Sequence, residues 1–164
     1  MGKQLEEVIR VGMAQTEVAQ APKTLATFGL GSCVGVTAWD PISKVGGLAH
    51  IMLPDSTQAR SKENVAKFAD TAMPDLIGRL EKIGGVRRRL VIKIAGGAKM
   101  FNLFNDDRFA IGRRNVEAVK QSLEKLNLRI SAEDTGGNFG RTLFFDVENG
   151  TVIVRTIDHG EKQL

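Results

Sequence analysis

The chain has 164 residues, 42% hydrophobic and 26% charged, the proportions of a globular domain with enough length to bury a core without disulfides or metal. Its net charge of +4 and pI near 9.4 permit an acidic partner, yet 5% aromatic residues and no tyrosine argue against a base-stacking nucleic-acid surface. No apolar run approaches the roughly 18 residues of a membrane span, so no membrane insertion is expected. The polar start Met1-Gly2-Lys3-Gln4-Leu5-Glu6-Glu7 is unlike a secretory signal, and one cysteine cannot form an internal disulfide, so a reducing cytoplasm is the expected compartment.

No composition shift, repeat or linker divides the sequence, and residues 1–164 read as a single domain. Glu7 to Met13 reads as a first strand and Lys23 to Phe28 as a second, which runs into Gly29-Leu30-Gly31-Ser32. Cys33 to Trp39 alternates as a third strand. The turn Asp40-Pro41-Ile42-Ser43-Lys44 then leads into a fourth, Val45 to Leu53, so these two strands form a hairpin. A helix spans Phe68 to Ile83 and ends at Gly84-Gly85, with its Pro74 tolerable if the helix starts near Asp70 or Thr71. Val86 to Ala95 reads as a strand on which Arg87-Arg88-Arg89 marks a solvated edge. A second helix, Gly112 to Leu126, carries Val116, Val119, Leu123 and Leu126 on one face. Leu128 to Glu133, Thr142 to Val147 and Thr151 to Ile157 complete the strands, the last two joined through Asn149-Gly150. The fold class is mixed α/β: a largely antiparallel β-sheet or sandwich with helices packed outside it.

Gly31-Ser32-Cys33-Val34-Gly35 has the Gly-x-Cys-x-Gly pattern of a nucleophile elbow. Small neighbours expose the side chain on a tight turn, and backbone N–H groups freed there can hold an oxyanion. The same stretch suits a buried core cysteine at a glycine corner. It does not have the spacing of a dinucleotide fingerprint. His50 is one of two histidines, set among Gly47, Leu48, Ala49, Ile51 and Met52. In the proposed hairpin it lies near Cys33 across the strands, where an imidazole can activate a thiol and later protonate a leaving amine. Such a base needs an orienting group, and Thr27, Ser32, Asp55 and Ser56 are the candidates by sequence. His159 reads as part of a solvated tail. A zinc site from Cys33, His50 and His159 lacks the usual short ligand spacing, so no metal is expected.

Several blocks resemble the CheD family of chemoreceptor glutamine deamidases. They are Leu25-Ala26-Thr27-Phe28-Gly29-Leu30-Gly31-Ser32-Cys33-Val34, Gly47-Leu48-Ala49-His50-Ile51-Met52-Leu53-Pro54-Asp55-Ser56 and Lys67-Phe68-Ala69-Asp70-Thr71-Ala72. They continue through Lys93-Ile94-Ala95-Gly96-Gly97-Ala98, Ile111-Gly112-Arg113-Arg114-Asn115 and Ala132-Glu133-Asp134-Thr135-Gly136-Gly137-Asn138. Phe68 stands where the family often has tyrosine. The resemblance implies a CheD-like fold and a Cys-His-Thr constellation similar to that of deamidating necrotising toxins. It places the nucleophile on Cys33, the base on His50 and the orienting group on Thr27, with Gly31, Ser32 and Phe28 as oxyanion or substrate contacts. It implies a protein-glutamine glutaminase acting on the cytoplasmic helices of chemotaxis receptors, without a cofactor, with the CheC phosphatase as a further partner. The alternative is a non-catalytic adaptor that docks on CheC or receptors. Thr27 carries a geometric demand. It lies six residues before Cys33, roughly 20 Å along a straight strand, so the chain must bend at Gly29 and Gly31 for both to meet one imidazole.

Overall fold

The computed structural model describes residues 8–57, 59–61, 63–100 and 110–164. The reading of residues 1–7, including Glu7 as the start of a strand, lies outside them. Among the described residues, ten strands form two five-stranded sheets. The first, in spatial order, joins β1 (Val8–Arg10), β3 (Thr24–Leu30), β8 (Arg141–Asp146), β9 (Val152–Thr156) and β10 (Gly160–Gln163). The second joins β2 (Thr16–Gln20), β5 (Val45–Ile51), β4 (Val34–Asp40), β6 (Val91–Gly96) and β7 (Ile130–Thr135). Pairing is antiparallel except for β1–β3 and β6–β7. The mixed α/β, largely antiparallel class read from the sequence is therefore the observed one.

Alternation explains the layering. In β8, Leu143 and Phe145 are buried while Thr142 and Phe144 are half-buried. The inward residues of the first sheet meet Leu48 and Ala95 of the second, and Cys33 just before β4, in one apolar cluster. A second cluster lies on the other face of the second sheet, where α1 (Ala69–Lys82) and α2 (Ile111–Lys125) pack. In α1 the buried residues Ala69, Ala72, Met73, Leu76, Ile77 and Leu80 follow the helical stripe. Both helices cover the same sheet. β4 and β5 are consequently buried on two faces.

Several boundaries differ from the sequence reading. β2 has no alternation of its own, and its pairing with β5 decides its conformation. Pro74 is the sixth residue of α1, one or two residues deeper than a helix start at Asp70 or Thr71 would put it. The tail at 160–163 is fully exposed yet forms an edge strand on β9. Arg87–Arg89 is a 3-10 turn before β6 rather than a strand edge, and Arg89 is not simply solvated. Its guanidinium donates to both oxygens of Asp40, whose side chain is wholly buried. Burial alone would raise the Asp40 carboxyl. The Arg89 guanidinium and the N–H groups of Val86, Ser43 and Ile42 outweigh it and hold the group well below the usual carboxylate range. Replacing Arg89 with methionine strands that charge and should lower stability by about 3 kcal/mol at neutral pH, read from the urea midpoint.

Candidate active site

The sharp bend that Thr27 requires is present. The β3–β8 register slips by one residue between Thr27 and Leu30, a bulge in β3. Gly29 lies within it at φ +69°, left-handed backbone that glycine adopts without strain. The Gly31 N–H then donates to the Gly29 carbonyl at 3.0 Å, a tight turn. Residues 31–33 carry the chain out of the first sheet and into β4 of the second. Cys33 thus sits at the corner where the two sheets meet.

His50 reaches the same corner from β5. The hairpin register pairs Val34 with Ile51 and Gly35 with His50, so Cys33 is the diagonal neighbour of His50 on one face. That face looks into the layer between the sheets, where His50 is 1% exposed. There Thr27 Oγ1 lies 2.7 Å from His50 Nδ1. The Thr27 hydroxyl donates its only proton to the Val11 carbonyl, also at 2.7 Å. It must therefore accept from His50, which puts the ring proton on Nδ1 and leaves Nε2 as a bare lone pair. Nε2 is buried and has no hydrogen-bond partner among the described residues. This is the tautomer a general base needs.

Burial sets the resting charge. It pushes His50 down to about 4 and pushes the Cys33 thiol up. The pair is thus neutral thiol and neutral imidazole at physiological pH, rather than a preformed thiolate and imidazolium. The proton must move as the sulfur attacks. Thr27→Val keeps the shape, strands Nδ1–H in an apolar layer and frees the ring to change tautomer. We expect a loss of about 10- to 100-fold in kcat, measured by turnover, with little change in KM.

The turn around Cys33 is held by its carbonyls. Gly31 O accepts from Ala98 N at 2.9 Å, Ser32 O from Asn115 Nδ2 at 2.9 Å and Cys33 O from Gly97 N at 2.8 Å. Gly96 and Gly97 make this possible, both at positive φ, and a side chain on Gly96 would run into the Cys33 carbonyl. The N–H groups of Ser32 and Cys33 make no hydrogen bond among the described residues. Two unclaimed donors beside a nucleophile are what an oxyanion requires.

Of the four orienting candidates, Thr27 is the one bonded to His50. The Ser56 hydroxyl and N–H go to Asp70, and Asp55 accepts from Thr57. Phe28 is not brought to the site. Strand alternation that turns Thr27 inward turns Phe28 outward, 41% exposed, against the edge of Phe144 and under the Arg10 guanidinium. His159 lies on the β9–β10 turn with its ring 4.1 Å from that of Phe139. Asn115 is the polar residue that sequence reading missed. Its signal was available: Gly112, Asn115, Val119 and Leu123 form the buried stripe of α2, and asparagine is out of place there.

A family model described as CheD chemotactic sensory transduction matches residues 52–156. "Chemoreceptor glutamine deamidase CheD" of Halalkalibacterium halodurans is 49% identical over 162 residues, covering 98% of this chain and 100% of that protein. This chain belongs to the CheD family. "Probable chemoreceptor glutamine deamidase CheD" of Lachnoclostridium phytofermentans is 46% identical, covering 96% of this chain and 99% of that one. The CheD protein of the same description from Desulforamulus reducens is 52% identical over 151 residues, 91% and 90% of the two chains. The CheD family model begins at Met52, just after His50, whereas these full-length relatives span the Cys33 corner as well.

Proposed function

We propose that this protein is a chemoreceptor glutamine deamidase in which Cys33 is the nucleophile, His50 the base and Thr27 the orienting group. The observation that carries the reading is the buried Nε2 of His50, without a hydrogen-bond partner among the described residues, on a residue whose strand register makes it the diagonal neighbour of the chain's single cysteine. The names of the relatives support the substrate: they are deamidases of chemoreceptor glutamines.

His50 Nε2 takes the Cys33 proton as the sulfur attacks the carbon of a glutamine side-chain amide. The N–H groups of Ser32 and Cys33 hold the resulting oxyanion. The imidazolium returns its proton to the amide nitrogen, the C–N bond breaks and ammonia leaves, giving a thioester. Neutral His50 then deprotonates a water that attacks the thioester. The C–S bond breaks, the sulfur recovers its proton and glutamate remains. Every step uses groups of this chain, water and the substrate. The proposed action on receptor cytoplasmic helices implies a cytoplasmic site of action. No described helix is long and apolar enough to cross a membrane.

Incubation with a chemoreceptor cytoplasmic fragment should release ammonia in step with loss of glutamine. Absence of ammonia from folded protein and a competent fragment would contradict the reading. We extend the proposal to docking on a CheC phosphatase, which a pull-down checks: binding should survive Cys33→Ala.

A further inference from the structure

We infer that Asn115 is a positioning residue that stitches the nucleophile strand to the base strand and so sets the approach of Cys33 to His50. The β4–β5 ladder ends at Val34 and Ile51. Just beyond it, Ser32 precedes Cys33 and Met52 follows His50 by two residues, and both present carbonyl oxygens to α2. Two carbonyls cannot bond each other. Asn115 Nδ2 lies between them and donates to each at 2.9 Å. Both its protons are used, so the amide orientation is fixed, and Oδ1 is left buried without a partner among the described residues.

That unpaired oxygen separates positioning from packing. Asn115 is wholly buried in an otherwise apolar stripe of α2. A leucine would fill the position without a buried side-chain oxygen, but it would leave the Ser32 and Met52 carbonyls without their shared donor. What asparagine supplies instead is two neutral donors on one atom. Serine has one, and aspartate would face two carbonyls with acceptors. α2 can deliver the amide because Gly112, one turn earlier, lies against the carbonyls of Gly97 and Ala98, where a side chain would collide. Those residues donate to the Cys33 and Gly31 carbonyls. Helix, glycine turn and asparagine therefore hold one corner from the same side.

The inference rests on the deamidase reading only for its turnover readout. The test is a double-mutant cycle between Asn115→Leu and His50→Asn. Asn115→Leu should lower kcat by about 30-fold with KM changed less than about threefold, since it acts on the reacting pair and not on substrate binding. The double variant should be no slower than His50→Asn alone. Losses that multiply, a loss carried by KM, or an unchanged kcat would overturn the inference. The same cycle is read on Cys33 alkylation by iodoacetamide across pH, which needs no receptor. The His50-dependence seen in the native profile should vanish in Asn115→Leu. Coupled alkylation without deamidation would sink the deamidase reading and leave the inference standing. If Asn115→Leu does not fold, Asn115→Ser, which keeps one donor, runs the same cycle. Failure of both to give a cooperative thermal transition would overturn the inference, because it would mark Asn115 as a requirement of the fold.

Discussion

Cys33→Ala is expected to reduce ammonia release by at least about a thousandfold, to the background of the uncatalysed reaction. The sulfur forms the bond that the mechanism depends on, and no neighbouring side chain can replace it. The fold should hardly notice. Cys33 is 8% exposed at a corner fixed by hydrogen bonds to its backbone carbonyls from Ala98 N, Gly97 N and Asn115 Nδ2, none of which involves the Cys33 side chain. The melting temperature should therefore stay within a few degrees, corresponding to about 1 kcal/mol or less. Retained deamidation in a folded Cys33→Ala protein would remove the nucleophile from the account.

His50→Asn should lower kcat by roughly a hundred- to ten-thousandfold, the usual contribution of a positioned acid–base group. It also changes how stability responds to pH. The folded pKa of His50 is about 4, below the ordinary imidazole value of 6.5, because burial disfavours the imidazolium. Between these values the unfolded chain takes up a proton that the folded protein does not. The neutral ring's contribution is thus fully present above pH 6.5 and is lost as pH falls toward 4, a change of about 3 kcal/mol for this residue. Native protein should lose stability across that window, and the difference between native and His50→Asn should show it, since Asp40 and other carboxylates titrate alike in both. A difference flat from pH 7 to 4 would mean that His50 is not buried neutral.

The parts of the site legible in the sequence were those set by local chain geometry. Asp40-Pro41 fixed a short hairpin loop, and the hairpin brought His50 across from Gly35, beside Cys33. Gly29 and Gly31 made a bend possible, and Thr27 demanded one. The bend could be required from the spacing, but its form could not be read. The crossing from one sheet to the other depends on the partners of β3 and β4, which lie far along the chain in β8 and β6. β2 was missed for the same reason. The arginine run misled because its function is a tertiary one: Arg89 answers a buried Asp40 nearly fifty residues earlier. Phe28 was offered as a substrate contact through family resemblance, whereas strand alternation puts it on the outer face. The neutral resting state of the Cys33–His50 pair was also invisible, since it follows from burial between two sheets.

The most direct test of the central claim is mass spectrometry of a chemoreceptor cytoplasmic fragment incubated with the native protein in oxygen-18 water. Cys33-dependent thioester hydrolysis predicts selected glutamine peptides heavier by about three daltons, one solvent oxygen having replaced the amide nitrogen, and no such peptides with Cys33→Ala. Glutamine peptides of unchanged mass, or the same gain with Cys33→Ala, would contradict it.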